Sequence, residues 1–502
     1  MVSIDDMPNE ILHKILREVF DASSQMISTF PSEQLFYVAG LASPHSWLSE
    51  SYYTVPRPRH GTLFAFTAAR VCTLWQDIAF TWRDAWEHVV FDLQEDPKPF
   101  HEVFDWSGDN PIMVYMFNSI LPQTTVEMQM LEAERVQKIV GYLVPHLNRC
   151  KSIRIDAAFS LSLPPPIYYF SQDFKMTKLT SLYLEADISV GLPSFNYSRK
   201  SLVAPLPALI RLSLTGAAIM KTAWECPQWV DVVPQLRTLK VTTFCFVDQN
   251  PESDRNEPDK DTLAFFISVI SRIQLTTRLH LHNLSLSYDA PEKVIPRTYR
   301  LSTRSIYLHE ISSPFLYEFF RWLKHDEIAE VIRIGDSTIS PPPTDHIPIA
   351  AHCLELSRIT TSSSVRAILS ILNTSSLRVI GCPGFDDSVI EWLTKGDSVP
   401  GLSGKKTFAM ENTEHLEILE SVNFSSPVLR SLIQIRAHAA SERIKADPTS
   451  QGVICIRYME VSGNCPGLSD DDMVWYTENS EIVYVRWVRK GVRALPIIRD
   501  VE

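Results

Sequence analysis

The chain has 502 residues, 45% of them apolar, with 59 acidic against 47 basic side chains and a formal net charge of −12. That length suits roughly two to four ordinary domains, or one domain plus a repeat array, and the apolar content makes disorder a poor default. The acidic balance argues against nucleic acid as a main partner, because binding phosphate needs a basic surface.

The first element predicted is a helix opening at Pro8. Proline costs nothing in the first helical turn, where its missing N–H would have no partner anyway. Asp5 and Asp6 precede it and suit the positive end of a helix. Ile11, Leu12, Ile15, Leu16 and Val19 then form one apolar stripe at helical spacing. A second stripe contains Val71, Leu74, Trp75, Ile78 and Ala79, followed by Trp82, Trp86 and Val89. Between the two, residues 21–68 read as an insert, with Ser43-Pro44-His45, Pro56-Arg57-Pro58-Arg59 and Gly61 marking a loop. Two such short helices carry more apolar surface than they can bury between themselves. They pack on the rest of the chain or dock on a partner.

Residues 93–145 read as a linker with a helix over Val126–Tyr142. From about residue 146 to 490 a short phrase recurs, apolar-x-x-apolar-x-apolar. Its best copies are Leu179–Leu184, Leu209–Leu214 and Leu236–Val241; weaker ones run from Leu279-His-Leu281 to Leu416-Glu-Ile418. Ile454-Cys-Ile456 and Val483-Tyr-Val485 are read as closing the series. Most steps between copies fall within or near the period of leucine-rich repeats. Alternation along a strand puts the paired apolar residues on one face, and stacked copies bury a core that no single copy could. Thr262–Ile273, Pro314–Leu323 and Ser364–Leu372 read as intervening helices. The expected fold is therefore α/β: an N-terminal helical segment over 1–92, then a repeat solenoid with a parallel inner sheet over 146–490, and a tail over 491–502. Between the paired apolars, Tyr183, Lys240, Tyr307, Arg333 and Arg378 face outward and are candidates for holding a protein target, since Tyr and Arg are enriched at binding hot spots. Asp248–Asp261 reads as an exposed acidic loop.

Catalytic phrases are weak. Gly401–Thr407 ends like a phosphate-binding loop, but Val399 stands where its first glycine belongs. His280 and His282 share a strand face with no nameable third ligand, so no metal is assigned. Asp386-Asp387 and Asp470–Asp472 read as solvated turns or helix caps. The eight cysteines form no Cys-x-x-Cys pair and read as buried free thiols in a reducing compartment. No cofactor and no catalytic residue is expected. No apolar run approaches a membrane span and no apolar signal core is evident. The expectation is a soluble protein of the cytoplasm, the nucleus or both.

The Pro8-led helix followed by Val71-Cys72-Thr73-Leu74-Trp75-Gln76-Asp77-Ile78-Ala79 resembles the F-box, most closely that of fungal members. The repeats resemble the irregular leucine-rich repeats that often follow it, although the usual asparagine of the repeat is mostly missing. The 21–68 insert departs from a compact F-box. The resemblance implies a non-catalytic substrate-receptor subunit of an SCF-type ubiquitin ligase. Pro8, Ile11, Leu12, Ile15, Leu16, Val71, Trp75 and Ile78 would dock a Skp-family adaptor, which links to cullin and RING subunits. The repeats would hold the protein destined for ubiquitylation. The rival readings are a leucine-rich-repeat interaction scaffold without a ligase role and an enzyme with an unrecognised site; the missing catalytic constellation disfavours the latter.

Overall fold

A computed structural model describes residues 8–28, 71–97, 102–118, 125–169, 176–188, 206–233, 236–247, 262–287, 299–323, 329–341, 349–395, 397–398, 406–446 and 455–489. The Asp248–Asp261 loop, most of the 21–68 insert, the Gly401–Lys405 stretch, Ile454 and the 491–502 tail lie outside the described residues. Two compact units divide the chain, residues 1–235 and 236–502.

The first unit opens with α1 (Asn9–Ser28) and α2 (Thr73–Phe80). Strands β1 (His88–Asp92), β2 (Ile112–Phe117), β3 (Cys150–Phe159), β4 (Ser181–Ile188) and β5 (Arg211–Thr215) follow, with α3 (Val126–Leu143) before β3 and α4 (Gly216–Glu225) after β5. Each strand pairs in parallel with the next in sequence. The register aligns Val89, Val114, Ile153, Leu182 and Leu212, all buried. Parallel pairing therefore begins at His88 and includes the apolar run at Ile112–Phe117, within the segments read as helical domain and linker. Val89-Val90-Phe91 is a continuous apolar run, a pattern that periodicity cannot tell from a buried helix.

The second unit repeats the scheme. Strands β6 (Leu236–Phe246), β7 (Leu275–Leu286), β8 (Ser305–His309), β9 (Val331–Gly335), β10 (Ile349–Ser357) and β11 (Leu372–Ile380) come first. After a small antiparallel pair, β12 (Asp397–Ser398) with β13 (Lys406–Thr407), come β14 (His415–Leu419), β15 (Tyr458–Gly463) and β16 (Tyr484–Arg489). Apart from that pair, successive strands align in parallel. Helices α5 (Leu263–Arg272), α6 (Ser313–Arg321), α7 (Ser362–Ile371), α8 (Asp387–Thr394), α9 (Ser426–Ala446) and α10 (Asp470–Glu478) intervene. The aligned core row runs Leu239, Leu279, Ile306, Ile332, Leu354, Leu377, Leu416, Met459 and Val485. Thus β15 opens at Tyr458, not in the Ile454–Ile456 phrase, and β16 opens at Tyr484, so that its own buried pair is Val485 and Trp487, with Val483 buried just before the strand. In both units the architecture is α/β, with a parallel, sequential, solenoid-like arrangement.

Side-chain caps open several of the helices. Thr125, Thr215, Thr262, Ser312, Thr361, Asp386 and Ser469 each accept the N–H three residues on, meeting one of the donors a helix leaves unpaired. Asp386 and the Asp470–Asp472 run thus belong to helix starts.

The missing asparagine has a substitute. After β8, β9, β10 and β14 the chain turns through left-handed residues: Glu310 (φ 52°), Asp336 (φ 47°), Arg358 (φ 53°) and Glu420 (φ 52°). One position later, Ser337 Oγ accepts Ile311 N–H at 3.0 Å and donates to Gly335 O at 2.8 Å. Cys382 Sγ does the same for Ile359 N–H (3.4 Å) and Ile380 O (3.5 Å), and Ser421 Oγ for Cys382 N–H and Leu419 O (both 3.2 Å). Hydroxyls and a thiol carry the inter-repeat ladder. Burial pushes the Cys382 thiol up to about 12, so it keeps the proton it donates. Cys382→Ser is expected to leave urea stability within about 1 kcal/mol, while Cys382→Ala strands a buried N–H and costs about 1–3 kcal/mol. Equal stability of the two variants would remove the ladder role.

All eight cysteines are free thiols, but only Cys150, Cys382 and Cys465 are buried; Cys226, Cys353 and Cys455 are partly buried, and Cys72 and Cys245 are exposed. No helix among the described residues is long and apolar enough to cross a membrane.

Candidate functional site

Two surfaces collect the candidate residues. The first is the helical pair at the start of the first unit. The Pro8 carbonyl accepts the N–H groups of Ile11 and Leu12 at 3.0 and 3.1 Å, opening α1. Leu12 and Leu16 are buried, whereas Ile11, Ile15 and Val19 are 48%, 43% and 47% exposed. The single stripe seen in the sequence is therefore split. One edge packs inward, and the other, at i, i+4 and i+8, forms an apolar strip facing solvent.

The helix is clasped from behind. Arg17 makes a two-point ion pair with Asp84, at 3.1 and 2.5 Å, and its guanidinium lies 5.8 Å from the Trp82 ring. Trp82 Nε1 donates to His13 Nε2 at 2.6 Å. The Arg17 hydrogen bonds hold the Asp84 carboxyl below the usual carboxylate range, outweighing partial burial. The clasp is thus ionised at neutral pH and is lost only as pH falls through the lowered value. Trp86 is fully buried, donates from Nε1 to Ala79 O at 2.8 Å, and meets the Trp106 ring at 4.7 Å. Trp106 in turn stacks on Phe80 at 3.9 Å. Of the other predicted docking residues, Pro8 and Val71 are exposed, Trp75 is half-buried and Ile78 is buried.

The second surface is the sheet face opposite the core. In the first unit Tyr115, Arg154, Tyr183 and Ser213 align across four strands. Arg154 lies 5.6 and 5.3 Å from the rings of Tyr115 and Tyr183. It also hydrogen-bonds Asp156 at 2.8 Å, and Tyr115 donates to the same carboxylate at 2.9 Å. Burial pushes Asp156 up, against the pull of Arg154.

In the second unit the aligned row is Lys240, His280, Tyr307, Arg333, Glu355, Arg378, Glu417, Glu460 and Arg486. His280 stacks on Tyr307 at 4.2 Å, and Arg333 sits 4.8 Å from the same ring. Glu355, itself buried, pairs with Arg333 at 3.2 Å and Arg378 at 3.6 Å; Arg378 also holds Glu417 at 2.6 Å. Burial raises the Glu355 carboxyl and the two arginines oppose the rise. Arg333 and Arg378 are therefore members of an internal charge ladder. An incoming phosphate would compete with carboxylates already in place.

Beside this row lies a rim cluster that sequence reading did not assemble. Parallel register sets His282 opposite His309, their rings stacked at 4.8 Å. His309 Nε2 meets Asp336 at 2.6 Å, and Arg358 Nε reaches the same carboxylate at 2.8 and 2.9 Å. Glu310 approaches both histidines, at 3.6 Å from His282 and 3.9 Å from His309. Strand alternation had suggested His280 with His282. The true neighbour comes from the next strand, 27 residues on, through register alone.

No protein-family model matches the chain, and no curated protein matches it.

Proposed function

We propose that this chain is a substrate-receptor subunit of an SCF-type ubiquitin ligase, docking a Skp-family adaptor through its N-terminal helices. The observation that carries the reading is the split stripe of α1. Ile11, Ile15 and Val19 form an apolar strip toward solvent on a helix that Leu12, Leu16, Arg17 and His13 hold from behind. The resemblance of the Pro8-led helix and the Val71–Ala79 phrase to an F-box agrees with that use. On this reading Pro8, Ile11, Ile15 and Val71 meet the adaptor directly, with Val19 extending the contact. Leu12, Leu16 and Ile78 position the helices, and Trp75 serves both tasks. The adaptor brings cullin and RING subunits, and the sheet face with Tyr183, Lys240, Tyr307, Arg333 and Arg378 receives a protein target. The chain itself performs no bond chemistry in this scheme.

The test is binding of the full chain to a purified Skp-family adaptor by calorimetry. Ile11→Asp with Ile15→Asp puts two charges on an exposed strip without touching the buried edge. A loss of about 2–4 kcal/mol in affinity is expected, with an unchanged circular-dichroism spectrum. No binding by the wild-type chain would leave an interaction scaffold as the better reading.

A further inference from the structure

We propose that His282, His309 and Glu310 form a binding site for one transition-metal dication, of which zinc is the reference case. The proposal stands apart from the adaptor reading and uses residues of the second unit only.

The three side chains bring one donor atom each, all within 4.8 Å of one another. Two come from aligned positions on adjacent strands, and the third follows at the left-handed turn after β8 (φ 52°). That turn swings the Glu310 carboxylate back over the strand ends. Small rotations of the partly exposed His282 and Glu310 side chains toward the held His309 ring would close the donors around an ion about 2 Å from each. Two imidazoles and a carboxylate suit zinc, cobalt or nickel rather than magnesium or calcium, which prefer oxygen alone.

The orientation of His309 is what separates this cluster from an ordinary surface pair. Its Nε2 is engaged by Asp336 at 2.6 Å, and Arg358 holds the same carboxylate, with its guanidinium 3.5 Å from that Nε2. The ring is thereby turned so that Nδ1 faces Glu310 at 3.9 Å. A carboxylate on the far nitrogen of a ligating histidine fixes tautomer and angle and raises ligand basicity. The next aligned position after His309 is Gly335, which directly precedes Asp336. Three protein ligands leave a fourth position for water or for a group from a bound partner. The rim beside the proposed target surface would then carry a metal whose open position a target side chain can complete.

The experiment is a zinc titration of the full chain against a chromophoric chelator. One equivalent is expected for the wild type and none for His282→Ala combined with Glu310→Gln. Both positions are partly exposed, with side chains 34% and 50% accessible, so the fold tolerates the change. Asp336→Asn should keep the stoichiometry and weaken affinity about 10–100-fold. Cobalt in place of zinc should give visible d–d bands without an intense thiolate band, separating this site from the exposed Cys72 and Cys245. Should the double variant misfold, zinc protection of the partly exposed His282 from diethylpyrocarbonate in the wild type decides the matter. An unchanged stoichiometry in a folded double variant, a thiolate band, absent protection, or no zinc bound by the wild type would each overturn the site.

Discussion

Trp86→Ala is expected to cost about 3–5 kcal/mol in the first unit and, under the proposed function, to abolish adaptor binding as a secondary effect. Trp86 is among the largest fully buried side chains in the protein. Its ring contacts Trp106, which stacks on Phe80 of α2, and its indole N–H satisfies the carbonyl of Ala79 in the same helix. Two residues later β1 begins, so Trp86 joins the helical pair to the parallel strands. Alanine removes the aromatic volume and leaves a cavity that neighbouring rings cannot fill without losing their own contacts. Trp86→Phe keeps most of the burial and loses the hydrogen bond, so about 1–2 kcal/mol is expected. Because the chain has two units, a single unfolding midpoint is a poor readout. Amide exchange over residues 73–92 reports the local effect. Unchanged protection there in Trp86→Ala would show that the helices hold by themselves.

The second large effect is expected at Arg436. This side chain is 2% exposed on α9. Its guanidinium donates to the carbonyls of Met410 at 2.7 Å and Leu393 at 3.4 Å, and also to Ala409. Those carbonyls belong to the end of α8 and to the turn at Met410, which is left-handed (φ 56°). One cation thus ties three backbone segments together where no strand or helix ladder can reach them. Burial holds its pKa down to about 10, with Glu411 partly opposing, so the group stays charged at neutral pH. Arg436→Met preserves the stem and removes the guanidinium donors from Leu393 and Ala409, while the Met410 carbonyl keeps the Thr413 N–H at 3.1 Å, for an expected loss of about 2–4 kcal/mol. Arg436→Lys restores the charge but not the fork of donors, and should recover only part of that loss. Urea denaturation followed by circular dichroism, with amide exchange over residues 387–395 and 406–414, measures both. Equal stability of methionine and arginine would mean that the carbonyls find other donors.

Local patterns in the chain determined a good deal. The x-L-x-L-x phrases predicted the seven aligned core positions from Leu239 through Leu416, with Leu182 and Leu212 before them, because strand alternation is local and its period is two. The helices near Thr262–Ile273, Pro314–Leu323 and Ser364–Leu372 were readable from their own apolar spacing for the same reason. The α1 stripe was readable as amphipathic, since its period needs only one helix.

Tertiary structure decided the rest. Which edge of the stripe stays in solvent depends on Trp82 and Asp84, some 67 to 69 residues away from their partners. Outward arginines read from sequence as hot spots became partners of Glu355 and Glu417, because parallel register sets strand neighbours that no local pattern names. The strands at Val89 and Val114 and the true frame of β15 and β16 also needed the sheet, as short apolar runs gain an identity only from what they pair with. The rim cluster is the clearest case. His282, His309 and Asp336 are 27 residues apart at each step, and only the stacking of successive turns brings them within hydrogen-bonding and ligating distance.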